Sequence, residues 1–214
     1  MNELEHDKTK KQLLEPKLAA KFQSLGFKKL TEIQKKAIPI IFQKKDCIVI
    51  APTGSGKTEC SIIPIFSHLK KSKKEGKVKA LYLTPLRALN RDVFRRIIRY
   101  AENDGLTIQI RHGDTPQNIR KKITNSPPDV LITTPETLVI LLTQRKMLDA
   151  LSELEWIVID EVHELLGNER GSQLSLSLER LQINSRKEIT RIGLSATIGN
   201  AKESGKFVVG TKRK

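Results

Sequence analysis

The segment Ala51-Pro52-Thr53-Gly54-Ser55-Gly56-Lys57-Thr58 constrains this chain more than any other. An apolar run, Cys47-Ile48-Val49-Ile50, precedes it and reads as a short buried strand. Glu59-Cys60-Ser61-Ile62-Ile63 follows it and reads as the start of a helix. Strand, glycine-rich turn and helix together form a setting in which backbone can cradle an anion. Gly54 and Gly56 permit a tight turn that aims N–H groups inward, and the helix N-terminus adds partial positive charge. In that setting Lys57 would reach the β- and γ-phosphates of a nucleotide, and the Thr58 hydroxyl would ligate Mg²⁺. The general pattern opens with glycine, where this chain has Ala51. An ordinary glycine-serine turn is the plainer reading, but Gly-Lys-Thr at a strand-to-helix junction argues against it.

Beyond this loop, apolar segments and helical patterns alternate. Strands are predicted at 47–51, 79–84, 106–111, 129–133, 155–160 and 190–195, and helices at about 57–70, 87–102, 115–124, 135–143 and 171–183. Two helices precede the loop. One carries Leu14, Leu18, Phe22 and Leu25 and ends at Gly26; the other opens at Thr31 and runs to about Phe42. Thr31 with Gln34 three places on forms a capping-box pattern. The strands are continuously apolar rather than alternating, as expected when both faces are covered. The chain is therefore predicted to be one α/β domain, a mainly parallel sheet with helices on both faces.

In such a sheet, ligands gather beyond the carboxyl ends of the strands. The segments expected there are all polar: the phosphate loop, Pro85 to Asn90, His112-Gly113-Asp114-Thr115, Thr134-Pro135-Glu136-Thr137, Asp160-Glu161-Val162-His163 and Ser195-Ala196-Thr197. A phosphate loop needs a carboxylate on a nearby strand to hold Mg²⁺, and Asp160 fits. Glu161 can orient and deprotonate the water that attacks the γ-phosphate. The alternative is a pair of acids favoured by a helix dipole. Arg87 and Asn90, and Thr134 and Thr137 around Pro135, could hold nucleic-acid phosphates at helix starts, although capping explains each pair as well.

Composition supports a polyanionic partner. The formal net charge is +15 over 214 residues, and 4% aromatic content suits phosphate contacts better than base stacking. The lysines Lys70, Lys71, Lys73, Lys74, Lys77 and Lys79 are expected on the opposite edge of the sheet, solvated. No run of about 18 apolar residues suggests a membrane span. The charged start, residues 1–11, is expected to be a frayed tail. Without an apolar signal segment, and with Cys47 and Cys60 lacking metal-type partners, the expected location is cytoplasmic.

The order of these motifs resembles the first RecA-like domain of superfamily 2 helicases. Gln34 is similar to the adenine-reading glutamine of that superfamily. Ala51 to Thr58 is similar to its Walker A loop, which commonly opens with Ala. Asp160-Glu161-Val162-His163 is similar to a DEVH box, and Ser195-Ala196-Thr197 to the motif that couples the ATP and nucleic-acid sites. More narrowly, Thr84 to Asn90, Arg111 to Pro116, Leu131 to Leu138 and Arg191 to Gly199 resemble the large helicase-related (Lhr) family.

The resemblance implies a RecA-like P-loop domain over residues 12–210 that uses ATP and Mg²⁺. It implies nucleotide contacts from Gln34, Thr53, Gly54, Ser55, Gly56, Lys57 and Thr58, metal ligation by Thr58 and Asp160, catalysis by Glu161 and Lys57, and coupling by His163, Ser195 and Thr197. It implies nucleic-acid contacts from Pro85, Arg87, Asn90, Gly113, Asp114, Thr134, Pro135 and Thr137. It further implies 3′-to-5′ movement on single-stranded DNA, with roles in repair or RNA metabolism, and a second RecA-like domain whose linker would begin at the basic residues 211–214. A DEVH-type RNA helicase domain and a basic nucleic-acid-binding module with vestigial ATPase remain the alternatives.

Overall fold

The computed structural model describes residues 16–70, 76–85, 91–197 and 201–210. Two helices, α1 (Pro16–Ser24) and α2 (Glu32–Phe42), precede β1 (Cys47–Ile50). Then follow α3 (Lys57–Leu69), β2 (Ala80–Leu83), α4 (Arg91–Asn103), β3 (Ile108–Arg111), α5 (Gln117–Asn125) and β4 (Val130–Thr133). After β4 come α6 (Pro135–Leu141), α7 (Arg145–Ala150), β5 (Trp156–Ile159), α8 (Glu169–Asn184), β6 (Thr190–Ser195) and α9 (Ala201–Val209).

The six strands form one parallel sheet in the order β1-β6-β5-β2-β4-β3. Every residue of β2, β4 and β5 is buried, and successive side chains enter different cores. Ala80, Tyr82, Val130, Ile132, Trp156 and Val158 pack under α1 to α4. Leu81, Leu83, Leu131, Ile157 and Ile159 pack under α5 to α9. Two covered faces explain the unbroken apolar runs in the sequence.

The predicted elements are present, with ends displaced by at most two residues where both are described. Two helices were not foreseen. α7 has only six residues, too short for a periodic signal. α9 contains Gly205 and ends Phe-Val-Val, a sequence with weak helical preference. Its position comes from tertiary packing: Val208 lies against Gly193, where a Cβ would stand 2.6 Å from Ile48 Cγ1 and 2.8 Å from Val208 Cγ2.

The lysine cluster differs from expectation. Lys77 reaches Asp149 at 2.8 Å, and Lys79 is buried at 2% exposure rather than solvated; Lys71, Lys73 and Lys74 lie outside the described residues. Cys47 and Cys60 are free thiols, and burial pushes Cys47 up to about 12 and raises Cys60 as well, so both stay protonated. Among the described residues no helix is long and apolar enough to cross a membrane.

Gly193→Ala should destabilise the domain by about 1–3 kcal/mol through overpacking between β6 and α9. Urea unfolding checks this as a lowered midpoint with an unchanged slope. An unchanged midpoint would contradict this packing.

Candidate nucleotide site and nucleic-acid edge

Sheet order decides which loops meet. β6 lies between β1 and β5, so the loop after β1, the end of β6 and the carboxylates after β5 come together. Ile50 pairs with Ser195, and the Ala51 N–H donates to the Ser195 carbonyl at 3.1 Å. Gly193 pairs with Ile159 in the next row, and the Asp160 N–H extends β5 by donating to the Leu83 carbonyl at 2.8 Å.

The loop itself depends on glycine. Gly54 and Gly56 take φ of 77° and 84°, and Gly56 is the N-cap of α3. A side chain on Gly56 would also collide with Gln34, whose Nε2 lies 2.2 Å from an ideal Cβ. Gln34 is 1% exposed and has two roles. Its side-chain oxygen accepts the Thr31 N–H at 3.0 Å, completing the capping box, and its amide nitrogen donates to the Gly56 carbonyl at 3.3 Å. One N–H and one oxygen lone pair remain on that amide. Thr31 adds a second tie, donating from its hydroxyl to the Ser55 carbonyl at 2.9 Å. Helix α2 is thereby bound to the phosphate loop. Lys57 folds back over the loop, donating to the carbonyls of Ala51 at 2.5 Å and Pro52 at 3.0 Å.

Loop, α2 and carboxylates border one cleft of about 640 Å³, a size that suits a nucleotide. Gln34, Thr53, Gly54, Gly56, Lys57, Thr58, Asp160 and Glu161 line it. Phe27, Arg96 and Tyr100 line it too, and none was singled out in the sequence. The last two come from α4, whose approach to the loop cannot be read from periodicity. Arg96 is oriented by Glu59 at 3.5 Å. The Ser55 hydroxyl and Glu161 Oε2 are buried and have no hydrogen-bond partner among the described residues.

The two carboxylates differ in their settings. Asp160 Oδ1 accepts the Glu161 N–H at 3.0 Å, and Oδ2 accepts the Tyr82 hydroxyl at 2.6 Å. Burial raises the Asp160 pKa, and these hydrogen bonds oppose the rise. Glu161 takes a left-handed conformation, φ 50° and ψ 47°, which costs a side-chain-bearing residue about 1–2 kcal/mol. Burial raises its pKa first, and the neighbouring Asp160 charge adds to the rise. His163 joins this group to β6: its Nδ1 lies 3.4 Å from Glu161 Oε2 and 3.3 Å from the Ser195 hydroxyl. Ser195 also donates to the Thr197 carbonyl at 3.1 Å. Ser195 is buried and Thr197 exposed.

The remaining strands, β2, β4 and β3, carry the candidate nucleic-acid edge. Arg87 and Asn90 lie outside the described residues. Pro85 is buried directly after β2. Thr134 and Thr137 are 3% and 5% exposed and bond to each other at 3.1 Å; the Thr134 hydroxyl also accepts the Thr137 N–H as the N-cap of α6. The capping role is therefore real for this pair, and Pro135, buried as well, starts the helix. Gly113 and Asp114 are exposed at the tip of a turn closed by two bonds between His112 and Thr115. Arg120 from α5 braces that turn through the carbonyls of Gly113 and Thr115.

Residues 31–204 match the DEAD/DEAH box helicase family. The chain belongs to that family. It is a helicase domain of the Lhr type, the first RecA-like domain of superfamily 2. The ATP-dependent helicase Lhr-Core of Saccharolobus solfataricus is 37% identical over 94% of this chain and 24% of the relative. The structure of Mycobacterium smegmatis helicase Lhr bound to ssDNA and AMP-PNP superposes with a TM-score of 0.79 at 37% identity, covering 91% of this chain and 26% of that one. The DEAD-box helicase Mss116 bound to ssRNA and UDP-BeF gives 0.75 at 25% identity, over 91% and 41%. The chain thus spans about a quarter of these two Lhr relatives.

An acid whose pKa is higher in the folded than in the unfolded state costs stability once ionised. Stability therefore falls as pH climbs from the ordinary glutamate range through the raised value. Glu161→Gln should melt at a higher temperature than the parent near neutral pH, and that gain should fade toward about pH 4, where the carboxyl is protonated in both states. Thermal unfolding across this range measures it; a gain independent of pH would rule out the buried charge as its cause.

Proposed function

We propose that this domain binds ATP with magnesium over β1, β6 and β5, binds single-stranded nucleic acid over β2, β4 and β3, and serves as the ATP-binding half of a translocating helicase. The observation that carries this reading is the single cleft shared by the phosphate loop, Gln34 and the Asp160-Glu161 pair. The spare N–H and lone pair of Gln34 match the N7 acceptor and N6 donor of adenine. Lys57 would leave the Ala51 and Pro52 carbonyls to take the β- and γ-phosphates, and the Ser55 hydroxyl would gain a partner there.

The donor set suits magnesium. Among the described residues no group of three or more His, Cys, Asp or Glu could hold a metal. One hydroxyl and one carboxylate, Thr58 and Asp160, form the sparse oxygen set used when phosphate and water complete the shell. Magnesium, when bound, supplies positive charge against the phosphate oxygens. Glu161, its basicity strengthened by its raised pKa, would orient the attacking water and accept its proton. His163 would carry the state of Glu161 to Ser195.

The nucleic-acid edge is proposed from the resemblance, from the net charge of +15 and from the ligands named for the two solved relatives. Gly113 and Asp114 present exposed backbone there, and Arg120 adds positive charge behind them. Phosphate contacts of this kind make binding salt-sensitive and do not separate DNA from RNA. Single-stranded DNA is preferred here because the Lhr relative, with the higher identity of the two, is the one solved on ssDNA. We further propose that arginines from a second RecA-like domain complete the ATP site, a contribution of roughly 10³–10⁵ in rate for related phosphoryl-transfer sites.

This chain should therefore bind ATP and turn it over slowly. Lys57→Ala should weaken nucleotide binding at least about tenfold, in line with the loss of charge-assisted bonds to phosphate. Glu161→Gln should keep binding and abolish the residual turnover. Turnover with and without single-stranded DNA checks this. Robust DNA-stimulated turnover by the chain alone would refute the half-site reading, and a clear affinity preference for RNA of the same sequence would refute the DNA assignment.

A further inference from the structure

Tyr82 stands where none of the recognised motifs reaches. It is the third residue of β2, 3% exposed, and its side chain lies on the α3 side of the sheet. Its hydroxyl donates to Asp160 Oδ2 at 2.6 Å. A phenol has one proton, and Tyr82 commits it to Asp160. The Glu161 N–H holds the other carboxylate oxygen, Oδ1, at 3.0 Å. The result is a relay from the phenol of β2 to the carboxylate that follows β5.

We infer that Tyr82 is a positioning residue for the metal, a phenol that orients its candidate carboxylate ligand, Asp160. The inference rests on the reading of this cleft as a magnesium·ATP site. Tyr82 and the Glu161 N–H hold one oxygen each of Asp160, which fixes the plane of the carboxylate while each oxygen keeps a lone pair for the metal or its waters. Outer partners of this kind typically contribute about 10–100-fold in metal affinity. A purely structural tyrosine would fill the core with its ring, and its hydroxyl would have no influence on ligand binding.

Tyr82→Phe keeps the ring and removes the relay. Affinity for AMP-PNP would be measured with magnesium and with EDTA. The wild type should bind more tightly with magnesium. In Tyr82→Phe the EDTA affinity should be unchanged, while the tightening by magnesium shrinks by about 10–100-fold. An equal magnesium effect in both proteins overturns the relay while leaving the nucleotide site in place. A wild type that binds no nucleotide refutes the magnesium·ATP reading and the relay with it. A second measurement does not depend on the folding of Tyr82→Phe. The chain has two tyrosines, so Tyr100→Phe leaves Tyr82 as the only one. Adding magnesium to that variant with AMP-PNP bound should perturb the tyrosine ultraviolet difference spectrum; a flat spectrum despite a magnesium-dependent gain in affinity would overturn the relay.

Discussion

The pairing of β6 between β1 and β5 is the constraint on which the rest of the site depends. Strand pairing fixes positions along the chain to within a residue, because a one-residue slip would reverse every side chain between the two cores. With Ile50 opposite Ser195 and Gly193 opposite Ile159, the phosphate loop, the Ser-Ala-Thr segment and the carboxylates emerge at one height. Gly193 is the close-packed point in this arrangement, with Ile48, Val162 and Val208 all within 3.2 Å of where a Cβ would be. A larger residue there would separate α9 from the sheet beneath the site. The geometry of the chemistry is thus set by packing several residues away from it.

Holding that geometry costs stability. Glu161 is in a left-handed conformation, its Oε2 is buried without a hydrogen bond, and burial raises the pKa of both acids. Each feature opposes folding, and each suits a group that must accept a proton near neutral pH. The surrounding core offsets the cost: Ile157 and Ile159 are fully buried on one face of β5, and on the other Trp156 is fully buried and Val158 almost so. A glycine after Asp160 would relax the backbone, but it would also remove the carboxylate that faces the cleft.

Much of this was legible in the sequence because the informative signals were local. A glycine turn between an apolar run and a helix, an Asp-Glu pair ending another run, and the Thr31-Gln34 cap each declare themselves within eight residues. Gln34 caps α2 and also lines the cleft, since α2 begins against the phosphate loop. What stayed hidden was decided by long-range contact. Tyr82 looks like any apolar strand residue until β5 is placed beside β2. Arg96 and Tyr100 reach the cleft only because α4 packs alongside α3, and Phe27, from the connection between α1 and α2, sits beside the Tyr100 ring there. Lys79 looked solvated because its charge was visible and its burial was not. For Thr134 and Thr137 the sequence offered both a cap and a phosphate contact, and the side-chain bonds between them show the cap.

The strand order also divides the carboxyl edge into two triplets, β1-β6-β5 and β2-β4-β3. Asp160 and Glu161 end the first triplet at β5. Tyr82 and Pro85 belong to β2, the first strand of the second. The 2.6 Å bond from Tyr82 to Asp160 spans that boundary, as does the backbone bond from the Asp160 N–H to Leu83. A shift of the end of β2 relative to β5 would alter both of these bonds. The side-chain bond is charge-assisted and buried, so it resists lengthening more strongly than an exposed contact would. In the proposed division of labour, β2 leads from Tyr82 directly into the nucleic-acid edge at Pro85. Tyr82 and Asp160 therefore form a side-chain link between the two proposed edges beside that backbone bond, while His163 and Ser195 link β5 to β6 within the first triplet.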